Sequence, residues 1–141
     1  RLLTRVRDLG LSDQVHTPGL VKPETIPNWI RAVDVVVHPS YREGLPRAVV
    51  QGLLAAKPVV AYALDGAPEV CIDDETGLLV TPGDRAALAD AIDRLRTNPG
   101  LGTRLGTEGR RRCRGPFDRR TMVDELETIY RRVLAPSETR A

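Results

Sequence analysis

Lysine is nearly missing from this chain, and aromatic residues and long apolar runs are scarce as well. Of its 21 basic residues only Lys22 and Lys57 are lysines, the aromatic content is 4%, and the formal net charge is +2. A charge this small gives no support for a strong attraction to nucleic acid or to an anionic membrane. No apolar stretch is long enough to span a bilayer, and no signal peptide is recognisable.

Several chemistries lack the residues that they would need. The two cysteines, Cys71 and Cys113, form neither a CxxC pair nor a disulfide framework, which favours a reducing cytosol. Two histidines without clustered cysteines give no support for a metal site. The sequence contains no GxGxxG fingerprint, no P-loop and no GxSxG elbow. Dinucleotide-dependent oxidoreduction, ATP hydrolysis and serine-nucleophile chemistry are therefore unsupported.

The 141 residues that are present suffice for one domain with a core, and they alternate between strand-like and helix-like patterns. A continuous β-branched run, typical of a strand buried on both faces of a parallel sheet, occupies residues 34–39. Two further apolar strands are predicted at residues 57–62 and 76–80. A further short strand is predicted within residues 12–21. Helices are predicted over residues 1–11, 22–33, 45–56, 84–98, 99–114 and 118–134, with a possible helical turn within 64–74. The alternation predicts an α/β domain with a parallel sheet.

The ends of the chain carry two further expectations. Arg1 already lies within a helical pattern, with no initiator methionine and no cap, so we expect a domain that is cut into from its N-terminal side. Residues 1–134 are predicted to form this partial domain. The tail 135–141 is predicted to be disordered.

Two polar loops follow the most buried-looking strands, HPSYREG (38–44) and ALDGAPE (63–69). Ligands of open parallel sheets bind beyond the carboxyl ends of the strands. The helix that begins near Pro46 would direct the N–H groups of Leu45, Arg47 and Ala48, and its positive dipole end, toward this edge. The loop is therefore a candidate phosphate site. The alternative is that Gly44 and Pro46 only form a tight strand-to-helix turn.

Single residues around this edge have two interpretations each. Glu43 either is a carboxylate favoured by the helix dipole or accepts hydrogen bonds from ligand hydroxyls. Gln51 either faces solvent or shares the helix face that leads to the cleft, one turn after Arg47. His38 is a structural histidine or a catalytic one. The arginine-rich segment 109–120 is a solvated helix face or a binder of acidic groups.

Taken as a whole, PSYREGLPRAVVQGLLAAKPVVAY, with DGAPEV and DDETGLLVTPGD after it, resembles the donor-binding domain of retaining GT-B glycosyltransferases. This is the family-four, or glycosyl transferases group 1, type with a Glu, seven residues, Glu signature. The resemblance covers nearly the whole chain and implies a Rossmann-like parallel sheet with helices on both faces. It also implies transfer of a hexose from a UDP- or GDP-linked donor to a saccharide or lipid-linked acceptor, with retention of configuration. It implies no cofactor and no metal.

The first part of the signature assigns residues to the sugar and the diphosphate. By resemblance, Glu43 is the acidic residue that contacts hydroxyls of the donor sugar, and it is the predicted catalytic residue. Gly44, Leu45 and Arg47 correspond to the segment that lies against the sugar and the diphosphate, which agrees with the argument from the helix start.

The remaining assignments concern the nucleotide. Gln51 falls on the second acidic position, which holds the ribose hydroxyls, and this is a departure from the family pattern. A carboxylate can accept from both hydroxyls, whereas an amide offers one acceptor and one donor group, so we expect weaker or differently arranged ribose binding. Leu20 and Val21 correspond to the segment that lines the base. Gly66 and Ala67 correspond to the glycine loop facing the donor.

A second departure concerns what the chain does not contain. The family's basic diphosphate-binding residues and its N-terminal acceptor domain would precede Arg1, so the fragment alone is expected to be inactive. The acceptor would be bound by that N-terminal domain, and no nucleic-acid partner is implied. The expected location is the cytoplasm, with possible peripheral association with the inner face of the cell membrane.

Two other functions compete with the enzyme. One is a degenerate, non-catalytic donor domain that binds a partner, favoured by Gln51 and opposed by the intact Glu43 and Gly44. The other is a nucleic-acid-binding domain that uses the arginines of 109–120.

Overall fold

A three-stranded parallel sheet organises the chain. The computed structural model describes residues 2–134, and its strands are Val36–His38 (β1), Val59–Tyr62 (β2) and Leu78–Val80 (β3). They lie in the order β1-β2-β3 with both pairs parallel. Each falls inside one of the three predicted strands, so the predicted α/β class with a parallel sheet is confirmed.

Helices connect and flank these strands. Pro23–Thr25 forms a single 3-10 turn ahead of the second helix, within the predicted helical segment. The helices are Leu2–Asp8 (α1), Ile26–Ala32 (α2), Arg47–Leu54 (α3), Ala67–Val70 (α4), Arg85–Thr97 (α5), Pro99–Cys113 (α6) and Arg119–Leu134 (α7). The predicted N-cap of α5 is confirmed, because the Asp84 carboxylate accepts a hydrogen bond from the Ala87 N–H at 2.9 Å. Asn98 caps α6 in the same way through the Leu101 N–H at 3.0 Å.

The strand predicted within residues 12–21 is wrong. The segment contains turns and irregular backbone, and no described residue of it pairs with the sheet. A strand is stable only where its backbone groups pair with a neighbour and its side chains bury. Here β1 pairs with β2 alone within the described residues, and Leu20 is fully exposed. The segment therefore has neither ladder nor core to order it.

The predicted covering of both sheet faces follows from the alternation along β2. Val59 and Ala61 belong to one buried cluster, with Val49 and Leu53 of α3. Val60 points the other way, into a second cluster that α5 and α6 complete with Leu95, Leu105 and their neighbours. Because successive side chains of a strand face opposite sides, β2 holds one layer of helix on each face.

Helix α3 is held closely against α6 through glycines. A Cβ at Gly106 would collide with the carbonyl oxygen of Ala56, just after α3, and one at Gly109 would lie 2.6 Å from Cδ2 of Leu53. Only glycine permits this approach. The packing fixes the direction of α3, whose other end lies beside the loop after β1.

Part of the arginine-rich segment is used in ion pairs within the fold. Arg111 and Arg112 both contact Glu108, and Arg112 also reaches Glu75 in the turn before β3. Hydrogen bonds from these two arginines lower the pKa of Glu108 to about 2. This arrangement agrees with a solvated, ion-paired helix face at these two positions.

The first and last helices bury no residue within the described range. Leu2 in α1 and Leu9, just after that helix, are both more than half accessible. Helix α7 also exposes its apolar side chains. The predicted disordered tail, 135–141, lies outside the described residues.

Candidate functional site

Two loops meet at the carboxyl edge of the sheet, as parallel strands require. Residues 39–46 lead from β1 to α3, and residues 63–66 lead from β2 to α4. Gly66 is buried against the first loop, and a Cβ there would collide with the carbonyl oxygen of Gly44 and lie 3.5 Å from Cα of Leu45. The predicted convergence of these loops is confirmed.

The loops enclose an open cleft of about 590 Å³. Its walls combine two carboxylates, one guanidinium and one aromatic ring. The lining residues are Tyr41, Arg42, Glu43, Gly44, Leu64 and Asp65. The cleft therefore offers several polar groups toward a polyhydroxylated or charged ligand.

Glu43 is fixed by its backbone. Its N–H donates to Oδ2 of Asp65 at 3.0 Å, across 22 residues of sequence. Asp65 itself has a φ of 51°, in the left-handed region that non-glycine residues seldom adopt. Non-glycine residues with such backbones cluster at binding sites, where the surrounding structure maintains them.

His38 approaches the side chain of Glu43 from the end of β1. Its Nε2 lies 3.3 Å from Oε1 of Glu43. This is a close approach rather than a formed hydrogen bond, because Nε2 is buried and has no hydrogen-bond partner within residues 2–134. The Glu43 side chain remains about one third exposed, so it stays accessible from the cleft.

An aromatic pair closes one wall of the cleft. The rings of Tyr41 and Tyr62 meet edge to face with centroids 5.3 Å apart, a favourable arrangement for aromatic side chains. Tyr62 is buried at the end of β2, whereas Tyr41 is exposed at the cleft. Burial, together with the Tyr41 hydroxyl, raises the pKa of Tyr62.

The start of α3 offers free donors beside the cleft. Pro46 occupies the N-cap position, and no side chain caps the helix. The Val49 and Val50 N–H groups both bond to the Pro46 carbonyl. Among the described residues, the N–H groups of Leu45, Arg47 and Ala48 donate no hydrogen bond. These are the three donors predicted for an anionic group.

Other predicted site residues lie outside the cleft wall. Gln51 is partly buried on α3, one turn beyond Arg47, and Arg47 is exposed at the first position of that helix. Leu20 and Val21 lie in the irregular segment before the 3-10 turn, and neither is among the described residues that line the cleft. Ala67 is buried, and its N–H already bonds to the Leu64 carbonyl. Their assigned roles stay predictions.

Four lining residues escaped the sequence-based assignment: Tyr41, Arg42, Leu64 and Asp65. All four lie in the two loops that the sequence identified, so the signal for them was position rather than residue type. The Asp-Gly pair at 65–66 is a turn signal, and a turn at a strand end places its side chain at the ligand edge.

Two further observations concern the described chain. No cluster of three or more histidine, cysteine, aspartate or glutamate side chains within residues 2–134 has the arrangement to hold a metal ion. None of the helices found there has the length and apolar character needed to cross a membrane.

Comparison with known proteins identifies the family of this chain. The family model described as Glycosyl transferases group 1 matches residues 1–112, and the chain belongs to this family. The putative glycosyltransferase EpsD of Bacillus subtilis is 40% identical over 127 residues, which cover 90% of this chain and 32% of EpsD. The predicted family is therefore confirmed.

Solved structures confirm the predicted GT-B type of fold. Sucrose-phosphate synthase from Thermosynechococcus elongatus superposes with a TM-score of 0.92 and 33% identity, covering 97% of this chain and 34% of that one. The Anabaena protein HepE, solved in complex with UDP-glucose, gives a TM-score of 0.86 and 29% identity, covering 92% of this chain and 35% of HepE. The chain spans about a third of the length of the relatives that it matches.

Proposed function

We propose that the protein carrying this chain transfers a hexose from a UDP- or GDP-linked donor to a saccharide or lipid-linked acceptor, with retention of configuration. The chain supplies the donor-binding part. One observation carries the proposal: Glu43 lines the cleft beside the uncapped start of α3, with its backbone fixed by Asp65. The cleft thus brings together a carboxylate that can accept hydrogen bonds from sugar hydroxyls and N–H groups that can bind an anion.

The α3 start supports binding of the diphosphate. A helix N-terminus carries a partial positive charge and unpaired N–H groups, which together favour phosphate oxygens. Helix α3 begins with three such donors, at Leu45, Arg47 and Ala48, and its N-cap side chain is a proline that cannot compete for them. The exposed guanidinium of Arg47 adds a full positive charge at the same end.

Glu43 is the proposed contact to the sugar. A carboxylate has two oxygens that accept hydrogen bonds, and charged acceptors bind hydroxyl donors more strongly than neutral ones do. HepE, whose fold this chain shares, was solved with UDP-glucose, which supports a nucleotide-sugar ligand for this edge of the sheet.

The proposed transfer uses the leaving group as the base. The bond between the anomeric carbon and the β-phosphate oxygen breaks, and the acceptor oxygen forms its bond to the same face of that carbon. The proton of the acceptor hydroxyl passes to the departing phosphate oxygen. The N–H groups of α3 would stabilise the charge that develops on the diphosphate. Cytoplasmic location and peripheral membrane association remain predictions from the family resemblance.

The alternative is a degenerate donor domain that binds a partner without catalysis. Gln51 favours it, because by the family resemblance an amide stands here at the position of the second carboxylate. Glu43 and Gly44 oppose it, since both keep their places in the cleft.

Isothermal titration of the full-length protein with UDP, GDP, UDP-glucose and GDP-glucose tests the proposal. We expect one nucleotide and its conjugate to bind. Glu43→Ala should weaken the conjugate about tenfold, the cost of one hydrogen bond to a charged acceptor, while leaving the bare nucleotide nearly unchanged. Glu125→Ala, which removes an exposed carboxylate on α7, should change neither affinity.

Failure of all four ligands to bind the folded protein would contradict the donor-site proposal. The degenerate module would then be the better account. Equal weakening of nucleotide and conjugate by Glu43→Ala would instead show that Glu43 does not contact the sugar.

A further inference from the structure

The imidazole of His38, beside the cleft, has a buried nitrogen without a hydrogen-bond partner among residues 2–134. This nitrogen, Nε2, lies 3.3 Å from Oε1 of Glu43. Buried polar atoms are nearly always paired, so an unpaired one calls for a function. Glu43 Oε1 is the acceptor that the ring approaches.

Glu43 needs such a partner in order to present its carboxylate in one orientation. Asp65 fixes only the backbone of Glu43, through the N–H at 3.0 Å. The glutamate side chain beyond it has three rotatable bonds, and ordering them costs conformational entropy. A second restraint at the carboxylate itself would lower the cost of orienting it at the moment of binding.

We propose that His38 is a positioning residue for Glu43. When the donor sugar binds, the Nε2–H of His38 donates to Oε1 of Glu43, which leaves Oε2 to accept from a hydroxyl of the sugar. Hydrogen bonds at binding sites are often long or poorly aligned in the free protein and tighten in the complex, which accounts for the 3.3 Å separation. The proposal rests on the proposed function, because it assigns a role to Glu43 in holding the sugar.

The location of His38 supports this role. The residue ends β1, whose pairing with β2 fixes its backbone through the match of His38 with Ala61. A donor on the sheet is a more rigid restraint than one on a loop. The carboxylate of Glu43 lies on the loop after β1, so His38 on the sheet would orient this carboxylate.

The first test uses titrations of the full-length protein with UDP-glucose and UDP, or the GDP pair if that is the one that binds. His38→Leu should weaken the conjugate about tenfold and leave the nucleotide unchanged. His38→Gln, which keeps an N–H donor, should restore most of the loss. His16→Leu, at the chain's other histidine and on an exposed position, should change neither affinity.

A double variant separates positioning from simple packing. If His38 acts through Glu43, adding His38→Leu to Glu43→Ala should cause no further loss of UDP-glucose affinity. Fully additive losses would overturn the proposal. Equal weakening of UDP and UDP-glucose by His38→Leu, or no rescue by His38→Gln, would overturn it as well.

A second measurement tests the contact between His38 and Glu43 even if the proposed function is wrong. Protein labelled with ¹⁵N-histidine should show an Nε2–H signal for His38, assigned by its loss in His38→Leu. This signal should shift in Glu43→Ala and not in Glu125→Ala. If no nucleotide binds but the signal shifts as expected, the donor-site proposal fails and the pair stands. If the signal is insensitive to Glu43, the positioning proposal fails whatever binds.

Discussion

Glu43, just before α3, and Gln51, within it, differ in how well the surrounding structure holds them at the cleft. Glu43 has a fixed backbone, a close histidine and an accessible carboxylate in the cleft. Gln51 lies farther along α3, partly buried and away from the lining residues. The sugar end of the proposed donor site is therefore supported by several contacts, whereas the ribose end depends on one amide.

Gln51→Glu tests the ribose end. A carboxylate accepts from both ribose hydroxyls and bonds more strongly than an amide by about 1 kcal/mol, so UDP or GDP should bind about fivefold more tightly. Isothermal titration measures the change. The matched control is Gln14→Glu, which introduces the same charge at the chain's other glutamine, on the exposed segment before the 3-10 turn. If Gln51→Glu left the affinity for UDP or GDP unchanged or lowered it, or if the control raised it equally, the assignment of Gln51 to the ribose site would be contradicted.

The sequence located the cleft but only part of its wall. The position between a buried strand and a helix left the roles of Glu43 and Gly44 open, and the resemblance to the family signature assigned them. Tyr41 and Asp65 could not be assigned, because each depends on a contact between segments far apart in sequence. The approach of His38 to Glu43 could not be predicted either, because it depends on how the short loop between them folds back. A local sequence pattern can place a residue at the carboxyl edge of the sheet, but it does not specify which other side chains contact that residue.

Strands and helices were predictable where burial and local preference agree. β1, β2 and β3 are apolar runs with a place in the sheet, and α5 has both a capping aspartate and a periodic apolar face. The segment 12–21 has neither strand partner nor buried face among the described residues, so its short apolar pattern was misleading. The α3–α6 contact was also invisible in the sequence, because Gly106 and Gly109 act through backbone proximity rather than through a side chain.

The contact between the two loops leads to a prediction for Gly66. Gly66→Ala would place a methyl group against the carbonyl oxygen of Gly44, so the loops must separate. We expect the free energy of unfolding to fall by about 1–3 kcal/mol, with a loss of nucleotide-sugar affinity as the cleft deforms. Denaturant unfolding and titration measure the two effects.

Gly115→Ala is the control, since its added methyl group would meet no atom within 4 Å. An effect of Gly66→Ala no larger than that of the control would contradict the close packing of the loops.

The packing of the described residues positions the loops at the carboxyl edge of the sheet. Two buried clusters hold helices on opposite faces of β2, and α6 fixes α3 from behind. The described residues thus form a rigid support for a cleft whose polar groups come from loops. The family membership and the shared fold are consistent with the proposal that a nucleotide sugar binds in this cleft.

The most direct test of this account is a crystal structure of the full-length protein with the nucleotide sugar that binds it. The account predicts a carboxylate oxygen of Glu43 within about 3 Å of a sugar hydroxyl, and the diphosphate against the N–H groups of Leu45, Arg47 and Ala48. A donor bound elsewhere, or bound here with Glu43 turned away from the sugar, would contradict it.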